Sequence, residues 1–139
     1  MDVKIWVATK AFISYKGKIL ILREASKYKD GTNAGRYDVV GGRIEPGQRF
    51  DESLLREVKE ETGLKIKIGR PFHVGEWRPI FRGEQWQVVE TFFECKTTSN
   101  KVKLSEDHED YKWIDPKDFK KYPLIENLIP AFEAYLSMK

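Results

Sequence analysis

Residues 41 to 64 constrain the fold more than any other stretch of this 139-residue chain. They read Gly-Gly-Arg-Ile-Glu-Pro-Gly-Gln-Arg-Phe-Asp-Glu-Ser-Leu-Leu-Arg-Glu-Val-Lys-Glu-Glu-Thr-Gly-Leu. A short apolar strand, Tyr37 to Val40, stops at Gly41-Gly42, and a tight loop through Glu45-Pro46-Gly47 leads straight onto a helical segment. Residues Asp51 to Thr62 are the strongest helix candidate, with acids in the first turn and Gly63 as the stop signal. Glycines in such a loop permit positive φ and close approach of backbone to a ligand.

The same helix carries an unusual run of acids. With Glu57 at zero and about 100° per residue, Glu60 falls near −60° and Glu61 near +40°. Leu54, Val58, Thr62 and Leu55 occupy the adjoining sector from about 60° to about 160°, which predicts the buried face. The acidic stripe therefore runs along the edge of that face. Like charges at this spacing repel by a few tenths of a kcal/mol per pair, and partial burial pushes carboxyl pKa values upward. A divalent cation reverses the sign of the problem, and hard oxygen ligands suit Mg²⁺ or Mn²⁺. The Gly42 carbonyl beside the stripe is one more candidate ligand, and Arg56 is spaced to pair with Glu52 or Glu60. Read on its own, the stripe fits a solvated helix face better, since surface helices are often acidic; the glycine loop before it favours a site.

Around this unit the chain reads as alternating strands with few helices. Ile5 to Arg23 predicts a β-hairpin turning at Lys16-Gly17, and residues 24 to 36 carry turn chemistry. Lys65 to Ile68, Val74 to Phe81, Gln85 to Cys95 and Tyr111 to Ile114 are further strands, with Asp118 as a cap for a short turn. Leu124 to Met138 predicts a closing helix, kinked at Pro130. Several strands, a central helix and a terminal helix give a mixed α/β (α+β) sandwich. With no repeat, low-complexity tract or linker, residues 1–139 read as a single domain.

Composition removes several function classes. Lysine plus arginine total 25 against 22 acids, a net charge of +3 mixed along the chain, which argues against a stable nucleic-acid partner. A single cysteine, Cys95, makes no internal disulfide, and no Cys/His set for structural zinc exists. Apolar runs are too short for a membrane span and the N-terminus lacks a secretory signal; a cytoplasmic location follows as the expectation.

The segment resembles the signature box of the Nudix hydrolases, G-x5-E-x7-R-E-U-x-E-E-x-G-U with U aliphatic. Gly42 opens it, and Arg56 to Leu64 match its second half at every fixed position. One position departs: Gln48 stands where the box has its first glutamate. The resemblance implies an α/β/α sandwich with a mixed sheet, a box helix and a C-terminal helix. It also implies Mg²⁺-dependent hydrolysis of a nucleoside diphosphate linked to another group, with a small nucleotide as partner and a monomer or homodimer as the assembly. By this analogy Glu57, Glu60, Glu61 and the Gly42 carbonyl hold metal, and Arg56 with the three glutamates forms the catalytic set. The alternative is a nucleotide-binding module of the same fold without catalysis, which only Gln48 favours.

Relatives also carry an acidic-His segment before a Trp-containing strand, which points to Asp107, His108 and Glu109 as a late-loop base or a solvated turn. Arg23, Arg36 and Arg43 flank the box and are candidate phosphate contacts. Trp77, Phe81 and Trp86 either stack on a base or pack in the core.

Overall fold

The computed structural model describes residues 2–25 and 35–139. The expected turn-rich loop at 24–36 falls largely outside them. Among the described residues, eight strands form one mixed sheet of order β3-β2-β1-β7-β5, with β4 also on β1, β6 on β7 and β8 on β2. The strands are β1 (Val3–Tyr15), β2 (Lys18–Glu24), β3 (Tyr37–Asp38), β4 (Val40–Arg43), β5 (Lys67–Trp77), β6 (Ile80–Phe81), β7 (Glu84–Lys96) and β8 (His108–Ile114). Helix α1 (Phe50–Thr62) covers one face and α2 (Leu128–Ser137) the other. The α/β/α sandwich is thus as expected.

The β1–β2 hairpin turns at Lys16-Gly17. The long β1–β7 pair is parallel and runs in register from Val3↔Gln85 to Ser14↔Lys96, while the other pairs are antiparallel. Phe12, Ile19, Ile21 and Phe92 pack against Leu128, Ala131 and Phe132 of α2. On the opposite face Ala11, Ile13, Leu20, Leu22 and Phe93 pack against Leu54 and Val58 of α1. Leu54 and Val58 are fully buried, worth about 1.5–3 kcal/mol each, and this contact fixes the acidic helix on the sheet.

Four local expectations are corrected. Lys65 to Ile68 and Val74 to Phe81 are not separate strands: β5 runs from Lys67 to Trp77 through two register shifts around Pro71, whose missing N–H is absorbed at the irregularity. The C-terminal helix starts at Leu128 rather than Leu124, so Pro130 lies in its first turn, where no N–H is required, and kinks nothing. The 3-10 turn Pro116–Lys121 is capped by Asp115, which accepts from Lys117 N, and not by Asp118. On α1, Leu55 is 41% exposed and Ser53 is buried. The buried arc is therefore rotated toward the acidic stripe, and Glu57 and Glu61 lie within its margin.

Candidate active site

Helix α1 is set at both ends by local chemistry. Upstream, Glu45 and Gln48 close a turn: Gln48 N donates to Glu45 O, and Glu45 N donates to Gln48 Oε1 at 3.0 Å. Downstream, Gly63 takes the left-handed conformation (φ 74°) that ends the helix, and its N–H donates to Lys59 O. Between them Glu57 comes to rest under β4. A Cβ on Gly42 would sit 3.5 Å from the Glu57 carboxyl carbon and 3.7 Å from both its oxygens. The glycine backbone and the carboxylate therefore lie side by side.

Glu57 and Glu61 line a cleft of about 160 Å³ together with Lys10, Glu24, Arg36, Asp38, Asp107 and His108. Glu61 Oε2 accepts from Ser105 Oγ at 2.6 Å and lies 2.8 Å from His108 Nδ1. Ser105 also holds its own loop, since Asp107 N donates to its hydroxyl and Ser105 N to Glu61 O. Burial, and then Glu60, push the Glu57 carboxyl above its usual range; Arg56 and Lys10 pull it back and Glu61 adds to the rise. Glu24 is likewise raised by burial, opposed by His108.

Beneath the cleft runs a buried polar network. Lys10 Nζ donates to Asp38 Oδ2 at 2.7 Å and lies 4.0 Å from Glu90 Oε2, and Asn127 Nδ2 donates to Glu90 Oε1. Burial alone would lower the Lys10 ammonium, but Asp38 and Glu90 outweigh it and its pKa is raised. The desolvation cost appears on Glu90, whose carboxyl is pushed up. Next to the cleft, and sharing Arg36 with it, opens a cavity of about 750 Å³ lined by Trp77, Arg78, Pro79, Glu126 and Asn127 among others.

The residues singled out from sequence distribute unevenly. Glu57, Glu61, Arg36, Asp107 and His108 line the cleft, and Gly42 abuts Glu57. Glu60 is on the exposed flank of α1. Arg56 reaches neither Glu52 nor Glu60; its nearest charged partner is Glu57, 3.9 Å away. Arg23 pairs with Glu109 at 3.2 Å and lies over the Tyr37 ring. Arg43 pairs with Glu45 at 2.9 Å and lies 4.2 Å from the Trp6 ring centroid, so neither arginine lines the cleft. Gln48 faces a separate shallow depression with Arg43 and Trp6. Trp86 packs on Trp6 with centroids 4.3 Å apart, and Cys95 is buried.

Sequence reasoning missed Lys10, Glu24, Asp38, Glu90 and Ser105. Lys10 had a signal, a lysine set between the apolar runs Ile5-Trp6-Val7-Ala8 and Ala11-Phe12-Ile13 of one strand. Ser105 had none, because its role depends on a loop meeting α1 from 44 residues away.

A hard divalent cation suits this donor set: the Glu57 carboxylate, raised in pKa by burial and by Glu60, beside a glycine backbone that leaves room for it. Among the described residues no three acidic, cysteine or imidazole side chains converge on one point; Glu61 Oε2 is engaged by Ser105 and His108 instead.

A family profile for the NUDIX domain matches residues 6–135. The nucleoside triphosphatase NudI of Escherichia coli K12 is 29% identical over 104 residues, covering 68% of this chain and 72% of that protein. NudI of Klebsiella pneumoniae strain 342 is 29% identical over 122 residues, covering 81% and 83%. Among solved structures, the MutT protein from Methanosarcina mazei Go1 superposes with a TM-score of 0.79 at 27% identity, covering 96% of this chain and 94% of that one. The MutT NUDIX hydrolase from Burkholderia pseudomallei gives 0.74 at 24%, covering 94% and 98%. With a matching fold, an intact Arg56 to Leu64 block and a cleft built on that helix, the chain belongs to the Nudix family and is a hydrolase of phosphoric anhydride bonds.

Proposed function

We propose that residues 1–139 act as one unit, a Mg²⁺-dependent pyrophosphohydrolase that cleaves a nucleoside diphosphate linked to a further group, nucleoside triphosphates first among them. The observation that carries this reading is the placement of Glu57 against the Gly42 backbone, in one cleft with Glu61 and Arg36. The NudI relatives are nucleoside triphosphatases by name, which favours triphosphates over nucleotide sugars and dinucleoside polyphosphates.

Glu57, Glu60, Glu61 and the Gly42 carbonyl would hold the cation, and Mn²⁺ would substitute for Mg²⁺. When bound, the cation neutralises phosphate charge and lowers the pKa of a coordinated water. The chain's own residues supply orientation. Glu61 is fixed through one oxygen by Ser105 and His108, and one of Glu57, Glu60 or Glu61 would accept the proton of the attacking water. The water oxygen bonds to phosphorus as the P–O–P bridge breaks, and for a triphosphate the bridging oxygen departs with the leaving pyrophosphate or nucleoside monophosphate. Arg36, at the junction of the two cavities, contacts the phosphates, while the larger cavity beside Trp77 and Asn127 takes the nucleoside.

The test is a substrate panel: ribo- and deoxyribonucleoside triphosphates, nucleotide sugars and dinucleoside polyphosphates, each with Mg²⁺, Mn²⁺ or EDTA. Products are resolved by ion exchange and ³¹P NMR. A nucleoside monophosphate with pyrophosphate, formed only when the cation is present, is the expected outcome for a triphosphate. No hydrolysis of any member with either metal would defeat the proposal.

A further inference from the structure

A groove of about 430 Å³ opens where the ends of β5 and β7 meet the last turn of α2, and it shares no lining residue with the cleft. Its charged lining, among the described residues, is Lys67, Arg70, Lys96 and Lys139 against Glu94. Lys67 and Lys96 are direct partners across the antiparallel β5–β7 pair. Side chains so placed stand about 5 Å apart at Cβ, where like charges destabilise the pair. Both are exposed, and neither forms an ion pair with an acid among the described residues.

A bulge completes the arrangement. Ile68 faces Cys95 and Pro71 faces Phe93, so Gly69 and Arg70 together oppose Glu94. In a regular strand residues 67 and 70 point to opposite faces. The extra residue turns Arg70 back to the Lys67 side, where its Nε donates to Glu94 Oε2 at 2.8 Å. Gly69 permits this, since a Cβ there would fall 2.9 Å from Glu94 O. Glu94 is fully engaged, because Lys139 Nζ donates to its other oxygen at 2.7 Å. Arg70 meets it through Nε alone, which leaves both terminal nitrogens for a further acceptor.

We propose that this groove is a second anion site, taking an oligophosphate: inorganic pyrophosphate or triphosphate, or the phosphate chain of a nucleotide. Charge sets the size of the ligand. Four cations against one carboxylate leave three positive charges, whereas one phosphate group carries only about −1.5 to −2. Two or three linked groups make the balance. Lys67 and Lys96 close on one end of such an anion, and Arg70, about 10 Å along the strand, reaches toward the other with paired donors. The carbonyls that end α2 would repel an anion. Those of Ala134, Tyr135 and Leu136 already accept, from Ser137 Oγ, Met138 N and Lys139 N. The site needs no divalent cation, which separates it from the acidic cleft, and it does not depend on the catalytic reading.

Calorimetric titration with sodium pyrophosphate, in buffer stripped of metal by chelating resin, should show one site per chain that weakens as salt rises. Lys67→Gln and Lys96→Gln should each weaken it about tenfold, the loss of one hydrogen bond to a charged group, with the fold kept and kcat in Mg²⁺ unchanged. Glu61→Gln, in the cleft, should leave it unmoved. Inorganic triphosphate set against a nucleoside triphosphate names the source: a tighter nucleotide means that its nucleoside is held as well, a tighter inorganic anion that it is excluded. No saturable binding of pyrophosphate at millimolar concentration overturns the proposal, as does binding undiminished in the Lys67→Gln/Lys96→Gln double variant. A single-stranded oligonucleotide that binds more tightly with each added nucleotide also overturns it, because the lysines then belong to an open track rather than a bounded groove.

Discussion

Gly41 and Gly42 are adjacent in sequence, yet alanine at each should fail in a different way. Strand β4 lies antiparallel on β1, with Gly41 opposite Lys10 and Gly42 opposite Thr9. A Cβ at Gly41 would fall 2.1 Å from Thr9 O and 2.8 Å from Lys10 Cα. Both are backbone atoms of the central strand, so β4 itself has to move. Overpacking of this kind costs on the order of 3 kcal/mol. With about 2.1 cal/mol/K of unfolding entropy per residue, a chain of this length loses roughly 3–4 °C per kcal/mol, so Gly41→Ala should melt about 10 °C lower.

Gly42→Ala meets only the Glu57 carboxyl, at ordinary contact distance, and its melting temperature should stay within about 2 °C of wild type. The added methyl displaces solvent beside a carboxylate that burial has already raised. It should raise the Mg²⁺ concentration for half-maximal rate about tenfold, as for loss of a supporting contact at a metal site. Calorimetry and a metal titration of hydrolysis measure the two effects separately. A Gly41→Ala protein that melts like wild type, or a Gly42→Ala protein with unaltered metal dependence, would refute the reasoning for that position.

Glu61→Gln should keep the fold and lose most turnover; full activity with unchanged Mg²⁺ dependence would remove Glu61 from the reaction. Millimolar Mg²⁺ at about ten times its Kd should raise the melting temperature by roughly 5 °C over EDTA by mass action, and identical curves would count against a preformed site. Gln48→Glu should leave the metal dependence unmoved, because the Gln48 carbonyl accepts from Glu45 N and faces away from the cleft; a lower half-saturating Mg²⁺ would show otherwise. Hydrogen bonds from Lys139, and secondarily from Arg70, hold the Glu94 carboxyl below its usual range against burial. Its folded pKa is thus depressed, so its contribution is present above the unfolded value and lost as pH falls through the folded one. Glu94→Gln should cost about 1 kcal/mol at pH 7, and urea titrations should show that gap closing toward pH 3.

Much of this was legible in sequence because periodicity and turn chemistry are local. The β1–β2 hairpin, helix α1 and its glycine stop followed from apolar pattern, Lys16-Gly17 and Gly63. The errors share a cause in tertiary context. The expected strands Lys65–Ile68 and Val74–Phe81 left out Pro71, which β5 carries at register shifts against its partner strand β7. Leu124 looked helical because its apolar side chain is buried, but it serves an extended segment in which a bridge links it to Tyr37. Leu55 was assigned to the buried face by angle alone, whereas the sheet takes α1 rotated toward Glu57. The site itself was legible only as far as the helix and its loop. The strand lysine and the loop serine that complete it are brought in from distant parts of the chain.

The charge balance of the cleft explains why a hydrolase built this way depends on cations. Among the described residues, five carboxylates line it, Glu24, Asp38, Glu57, Glu61 and Asp107, against Lys10 and Arg36. Lys10 is already committed to Asp38 at 2.7 Å, and Glu61 is engaged by Ser105 and His108. An excess of carboxylates disfavours a bare polyphosphate, and burial already raises the Glu24 and Glu57 carboxyls above their usual range. Lys10 and Glu90 are buried and Asp38 half-buried, and desolvation makes such a group of charges a weak source of stability. Their position under the cleft accounts for them better. They hold a fixed positive charge near Glu57, and through Glu90 they tie the cleft floor to Asn127 at the neighbouring cavity. In the proposed function, divalent cations would match the acids of the cleft and bring the phosphates with them.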